Sequence, residues 1–175
     1  MNLDNYIRKF PNFPKQGVLY YDITNVLTKP DVFRQVVDRM LELYKDIEFD
    51  AVAGIESRGF IFATAFALRR EIPQILVRKA GKLPGVTLKK AYQLEYGKAE
   101  VEVHLADVTK GARILLVDDL IATGGTMKAA YELLNEAGAS VRHAFGMIGL
   151  PFLNFAEAVP DLQLQTLINY HSETI

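Results

Sequence analysis

A chain of 175 residues with a formal net charge of −1 and no cysteine excludes several classes of protein at once. At this length one core buries about two-thirds of the surface that the unfolded chain exposes, so no disulfide or structural zinc is required, and without Cys no thiolate metal site or thiol nucleophile is available. The near-neutral charge supplies no field toward nucleic acid or an anionic membrane, so any anion must be held by local geometry.

From Met1 to Pro14 charged and aromatic residues alternate without a continuous apolar run, which predicts a segment that wraps onto the domain, neither a signal peptide nor a membrane span. No repeat, low-complexity tract or Pro/Gly linker divides residues 1–175, so a single domain in the cytoplasm is expected. From Pro30 to Asp46, Val32, Phe33, Val36, Val37, Met40, Leu41 and Leu43 recur at helical spacing behind a Pro-Asp start. Asp50 to Ile55 is a short apolar run that predicts a buried strand, followed by a tight loop at Ser57-Arg58-Gly59 and a helix from Ile61 to Arg70. Ile72 to Arg78 repeats the buried-strand signal. Between Arg78 and Val101 the pattern lapses into a polar stretch, which predicts a long functional lid over about residues 80–100.

Arg113 to Val117 predicts another buried strand, then a Gly-rich turn and a helix from Thr126 to Ala137 that stops at Gly138. Ser140 to Leu150 and Leu162 to Ile168 complete an alternation of strands and helices. The fold class implied is α/β, with a mostly parallel central sheet covered by helices on both faces.

The chemistry concentrates in Val117-Asp118-Asp119-Leu-Ile-Ala122-Thr123-Gly124-Gly125-Thr126. It lies between a buried strand and a helix, where α/β sheets bind ligands at their carboxyl ends. Ala122 to Thr126 offer successive backbone N–H groups, two hydroxyls and a helix N-terminus to a phosphate, and the glycines permit close approach. A Walker loop would need a Lys before the final Thr, and a dinucleotide fingerprint would need a third spaced glycine, so neither fits. Adjacent carboxylates at a strand end are costly unless they bind something, such as ribose hydroxyls or a solvated magnesium ion; alone, they would also suit a capped turn. His104, His143 and His171 stand apart and lack the spacing of metal ligands.

The run Ile114-Leu-Leu-Val-Asp-Asp-Leu-Ile-Ala-Thr-Gly-Gly-Thr126 resembles the phosphoribosyl-pyrophosphate (PRPP) motif of type I phosphoribosyltransferases. Phe10 to Pro14, Gly17 to Thr24, Gly54 to Phe60, Arg78 to Gly85 and Leu94 to Glu100 are similar to the adenine-specific branch of that family. The resemblance implies transfer of a phosphoribosyl group from PRPP to adenine, giving AMP and pyrophosphate, with a flexible catalytic loop. It implies magnesium bound through the donor and water, with no direct protein ligand, and a homodimer. By the same resemblance Asp118 and Asp119 hold the ribose hydroxyls and Ala122, Thr123, Gly124, Gly125 and Thr126 hold the 5-phosphate. Ser57, Arg58 and Gly59 form the pyrophosphate loop, supported by Arg78, Lys79, Lys82 and the covering Tyr96. Leu19 and Tyr20, with Arg58, meet adenine, and Glu95 is the general acid/base. Tyr21 departs from the pattern, which often has a basic residue there. The rival readings are another purine base, or a donor-sensing regulator, for which the chain has neither a DNA-binding module nor a basic surface.

Overall fold

The computed structural model describes residues 2–94 and 97–172, and side chains 94–98 are left out of the description. Seven strands form the main sheet. β3 (Ala51–Ile55), β4 (Gln74–Lys79), β5 (Thr87–Leu94), β6 (Gly97–His104), β7 (Arg113–Ile121), β8 (Ser140–Gly149) and β9 (Gln163–Asn169) run in the spatial order β5-β6-β4-β3-β7-β8-β9. β4, β3, β7, β8 and β9 are parallel, whereas β6 pairs antiparallel with β4 and β5 antiparallel with β6. A separate hairpin, β1 (Arg8–Pro11) with β2 (Leu19–Asp22), precedes them.

The central strands are apolar on both sides because both sides are covered. Alternate residues Ala53, Ile55, Ile114 and Leu116 pack toward Met127, Ala130, Leu133 and Leu134 of α4 (Gly125–Glu136). Their neighbours Val52, Leu115 and Val117 join Phe145 on the opposite face. There they meet Val36 and Met40 of α2 (Pro30–Leu43), and Phe62 and Phe66 of α3 (Gly59–Arg70). Each such side chain contributes on the order of 1.5–3 kcal/mol on full burial, which explains why periodicity alone marks these elements. Two one-turn helices, Thr24–Leu27 and Phe155–Ala158, are too short to leave that signature.

Two differences from the sequence reading have physical causes. The stretch expected to be an irregular lid is largely a regular hairpin: β5 and β6 pair from Thr87↔His104 to Leu94↔Gly97. Its inward row includes Lys90, which breaks an apolar alternation by eye. Its ammonium, however, pairs with Glu132 (3.2 Å) and Glu136 on α4 and seats the hairpin there. β7 also extends past Val117, since pairs such as Asp118↔Gly146 and Ile121↔Gly149 continue the ladder through the two acids.

Tyr44 is buried where α2 ends, among Phe49, Phe66 and His143, and its hydroxyl donates to the Ala144 carbonyl on β8 (2.8 Å). Burial pushes its phenol well above the ordinary range, so it remains a donor at all working pH. Tyr44→Phe keeps the ring contacts and removes this link. It should lower the unfolding free energy by about 1 kcal/mol, read as a shifted urea midpoint with unchanged slope.

Candidate active site

The carboxyl ends of β3 and β7 bring the two loops singled out in the sequence side by side. A cavity of about 580 Å³ opens there. Leu19, Tyr20 and Arg58, assigned to the base in the sequence, line it together with Ala122, Thr123, Gly125 and Thr126, assigned there to the 5-phosphate. Leu120, from within the acidic run, lines it too, and so do Lys15, Gln93, Leu150 and Leu153, which were not assigned to the site from the sequence because only the fold brings these distant segments together. A smaller hollow of about 90 Å³ adjoins it, walled by Asp118 and the run from Leu120 to Met127.

The smaller hollow has the features of an anion cradle. Gly124 is the N-cap of α4, and its φ of +81° gives the turn its left-handed entry. A Cβ there would stand 2.9 Å from Ala158 Cβ and 3.0 Å from the Phe155 carbonyl, so a larger residue is blocked twice over. Gly124 has no side chain to cap the helix, and the first-turn amides remain available to an anion. Thr126 Oγ1 donates a long hydrogen bond to the Tyr92 hydroxyl (3.4 Å), which brings the β5–β6 hairpin to the edge of the cradle.

Arg58 is the centre of the larger cavity's polar wall. Its Nε lies 2.8 Å from Asp119 Oδ2, while Nη1 donates to the Tyr20 hydroxyl (2.9 Å) and, at 3.5 Å, to the Tyr21 carbonyl. The guanidinium carbon is 5.3 Å from the Tyr20 ring centroid. Asp119 Oδ2 is buried and, despite the short ion pair, has no aligned hydrogen bond. The acids diverge: Asp118 walls the smaller hollow, and Asp119 turns inward to Arg58. Burial, then the neighbouring Asp119 charge, pushes the Asp118 carboxyl well above the usual carboxylate range. Burial also raises Asp119, with Arg58 opposing it.

Ser57, Arg58 and Gly59 form the turn from β3 into α3, and the Glu56–Ser57 peptide bond is cis. A Cβ on Gly59 would lie 2.7 Å from the Val117 carbonyl and 3.0 Å from Asp118 Cα, so glycine is what lets this turn touch the acidic segment. Glu56, missed in the sequence, accepts from Arg78 Nε (3.2 Å) and from the Lys79 amide (3.0 Å), joining the turn to the basic segment. Lys79 and Lys82 are exposed, and neither they nor Arg78 line the two cavities. Tyr21 is buried and stacks on Tyr170 at 4.5 Å, which explains an aromatic residue at this position. Glu95 and Tyr96 lie outside the described residues. Among the described residues no cluster of three His, Asp or Glu side chains is placed to hold a metal ion, and no helix is long and apolar enough to cross a membrane.

Residues 22–146 match the family described as Phosphoribosyl transferase domain. The sequence is 56% identical to the adenine phosphoribosyltransferase of Treponema denticola over 99% of this chain and 91% of that protein. It is 59% identical to that of Treponema pallidum (strain Nichols) over 98% of this chain and 90% of the relative. Among solved structures, the adenine phosphoribosyltransferase of Thermoanaerobacter pseudethanolicus superposes with a TM-score of 0.93 at 35% identity, covering 97% of this chain and all (100%) of that one. The Saccharomyces cerevisiae enzyme, complexed with adenine and an imino-altritol bisphosphate, gives 0.89 at 33% identity, covering 94% and 96%.

An acid whose folded-state pKa is raised costs stability as pH climbs through that value, and costs nothing once pH falls below its unfolded value. Asp118→Asn keeps an oxygen for the Asp119 amide, which now donates to Asp118 Oδ1 at 2.8 Å. The variant should therefore melt higher than the parent at pH 8, and the gain should vanish below about pH 4. Calorimetry across that range checks it.

Proposed function

The chain belongs to the phosphoribosyltransferase family, and from that premise we propose that it makes AMP and pyrophosphate from adenine and PRPP, as a purine-salvage transferase. The observation that carries this reading is the junction of a largely apolar cavity with an anion cradle through a shared loop, Ala122 to Thr126, spanned by Arg58. A flat base and a ribose phosphate fit the two halves.

The donor's 5-phosphate sits on the amides and hydroxyls from Ala122 to Thr126, and its ribose hydroxyls meet Asp118 and Asp119, the latter once Arg58 yields part of its ion pair. Pyrophosphate lies against Ser57 to Gly59, with Arg78, Lys79 and Lys82 toward its outer oxygens and Tyr96 as cover. Adenine occupies the larger cavity between Leu19, Tyr20 and Leu120. Among the described residues β2 pairs with β1, and Leu19 and Tyr20 at its start stand at the cavity, where their backbone can meet the rim of a base. This arrangement suits the amino and ring-nitrogen edge of adenine.

In the reaction, N9 of the base forms a bond to the anomeric carbon as the bond to the pyrophosphate oxygen breaks, and the N9 proton passes to Glu95. Positive charge grows on the ribose ring, where Asp118 and Asp119 stabilise it. Bound through donor oxygens and water, a magnesium ion would neutralise the leaving pyrophosphate, and the carboxylate oxygens of Asp118 and Asp119 are the residues suited to receive its water ligands. The β5–β6 hairpin, whose Gln93 lines the larger cavity and whose Tyr92 reaches Thr126, helps exclude water, which would otherwise hydrolyse the donor.

The chain acts as one domain in the cytoplasm and as a homodimer. In support of the dimer, Leu68 (78% exposed) on α3 and Val86 (79%) beside the basic segment are large apolar side chains left in solvent, and Leu76 on β4 is also exposed. Leu68→Glu should give a monomer by analytical ultracentrifugation.

Pyrophosphate release should occur with PRPP, magnesium and adenine, and not with hypoxanthine, guanine or no base. Release with another base would reassign the cavity, and donor binding without turnover would favour a sensor. Glu95→Leu should cut turnover by about 100-fold or more while leaving donor affinity within a few fold, the signature of a lost general base.

A further inference from the structure

The segment between β4 and β5 carries exposed Lys79 and Lys82 and has little apolar material to hold it down. A buried carboxylate takes up two of its amides. Glu102 on β6 is 1% exposed and stands opposite Arg78 in the strand register. The amides of Lys82 and Leu83 both donate to its Oε1, at 2.7 and 2.8 Å, and the Thr87 hydroxyl donates to Oε2 at 3.2 Å. Lys89 Nζ approaches Oε2 at 3.8 Å. Burial alone would push this carboxyl up, but the two amides, the Thr87 hydroxyl and Lys89 outweigh it and hold it below the usual range.

The other side of Lys82 is fixed as well. Its carbonyl accepts from Arg78 Nη1 (3.1 Å), and the same guanidinium donates through Nε to Glu56 (3.2 Å), the residue before Ser57. The backbone of Lys82 is therefore clamped between Glu102 on its N–H side and the Glu56–Arg78 pair on its C=O side. A lysine ammonium on a four-carbon stem finds an oxyanion efficiently only when its Cα is fixed. Burying a charge within a sheet to bind two loop amides is costly unless the loop's position matters.

We propose that Glu102 is a positioning residue for the phosphoribosyl donor, holding the Lys82 backbone in register with the Ser57–Gly59 turn so that the ammonium meets the pyrophosphate. The inference rests on the pyrophosphate role given above to Lys82, and it adds a second carboxylate layer behind the cations.

Steady-state kinetics with PRPP, magnesium and adenine on Glu102→Ala, Glu102→Gln and Lys82→Ala test it, with the parent protein run in parallel. Gln retains an amide oxygen that can accept both loop N–H groups, so it should leave the PRPP KM within about threefold. Ala should raise the PRPP KM by about tenfold or more, with adenine KM and kcat nearly unchanged, the pattern of lost ground-state binding. In a Lys82→Ala background, Glu102→Ala should add little, because the two act as one unit. Should the Ala variant not fold, Glu102→Asp, which withdraws the oxygens by one methylene, is expected to raise the PRPP KM several fold. An unchanged PRPP KM in the folded Ala or Asp variant, equal changes in adenine and donor KM, or additive effects with Lys82→Ala would overturn the proposal. Silence of the parent protein would instead sink the transferase reading.

Discussion

An electrostatic imbalance governs the carboxyl edge of the sheet. Two adjacent carboxylates, Asp118 and Asp119, lie within a strand, and the guanidinium that pairs there is that of Arg58. It takes Asp119, the more deeply buried acid, and leaves Asp118 facing the hollow. Because Arg58 leads directly into α3, the ion pair sets the height of the whole turn above β7 and requires glycine at position 59. Its remaining donors reach Tyr20 and Tyr21, so the same cation also fixes the N-terminal hairpin against the sheet. A destabilised acid pair thus organises three separate chain segments, and the ligand that relieves its strain is one that brings hydroxyl donors.

The N-terminal hairpin needs this cross-link because it adds no strand to the main sheet. A second set of contacts holds its outer end. Asp22 pairs with Arg8 at 2.6 Å and caps the Thr24 amide at 2.8 Å, Tyr21 stacks on Tyr170, and the Tyr170 hydroxyl donates to Asp4. These contacts place Leu19 and Tyr20 over the cavity from outside the sheet. This wall of the cavity therefore stands apart from the strand that carries Asp118 and Asp119 and from the loop that follows it.

The parts legible in the sequence are those whose local pattern is also their global role. Val52, Leu115 and Phe62 are apolar wherever the chain places them, and the run from Val117 to Thr126 carries strand end, acids, glycines and hydroxyls without interruption. What stayed hidden was long-range pairing of charges with backbone. Glu102 reads as a surface residue between Val101 and Val103 until the loop amides above it are seen, and Lys90 reads as a break in a strand until Glu132 and Glu136 appear opposite. Glu102 inverts the usual rule that charges face water, Lys90 partly does, and their partners stand 13 to 46 positions away, beyond any local periodicity.

The near-neutral charge of the chain is consistent with how the cradle works. Backbone amides between Ala122 and Thr126 carry partial charges that cost nothing in net charge and cannot fold back onto an acid as a lysine can. The exposed cations Lys79 and Lys82 are kept apart from this rigid cradle, on the segment clamped by Glu56 and Glu102. A transferase needs this asymmetry. In the transfer proposed above, the phosphate that remains in the product would meet fixed dipoles that read geometry, whereas the group that departs would meet side-chain charges able to follow it as the bond lengthens.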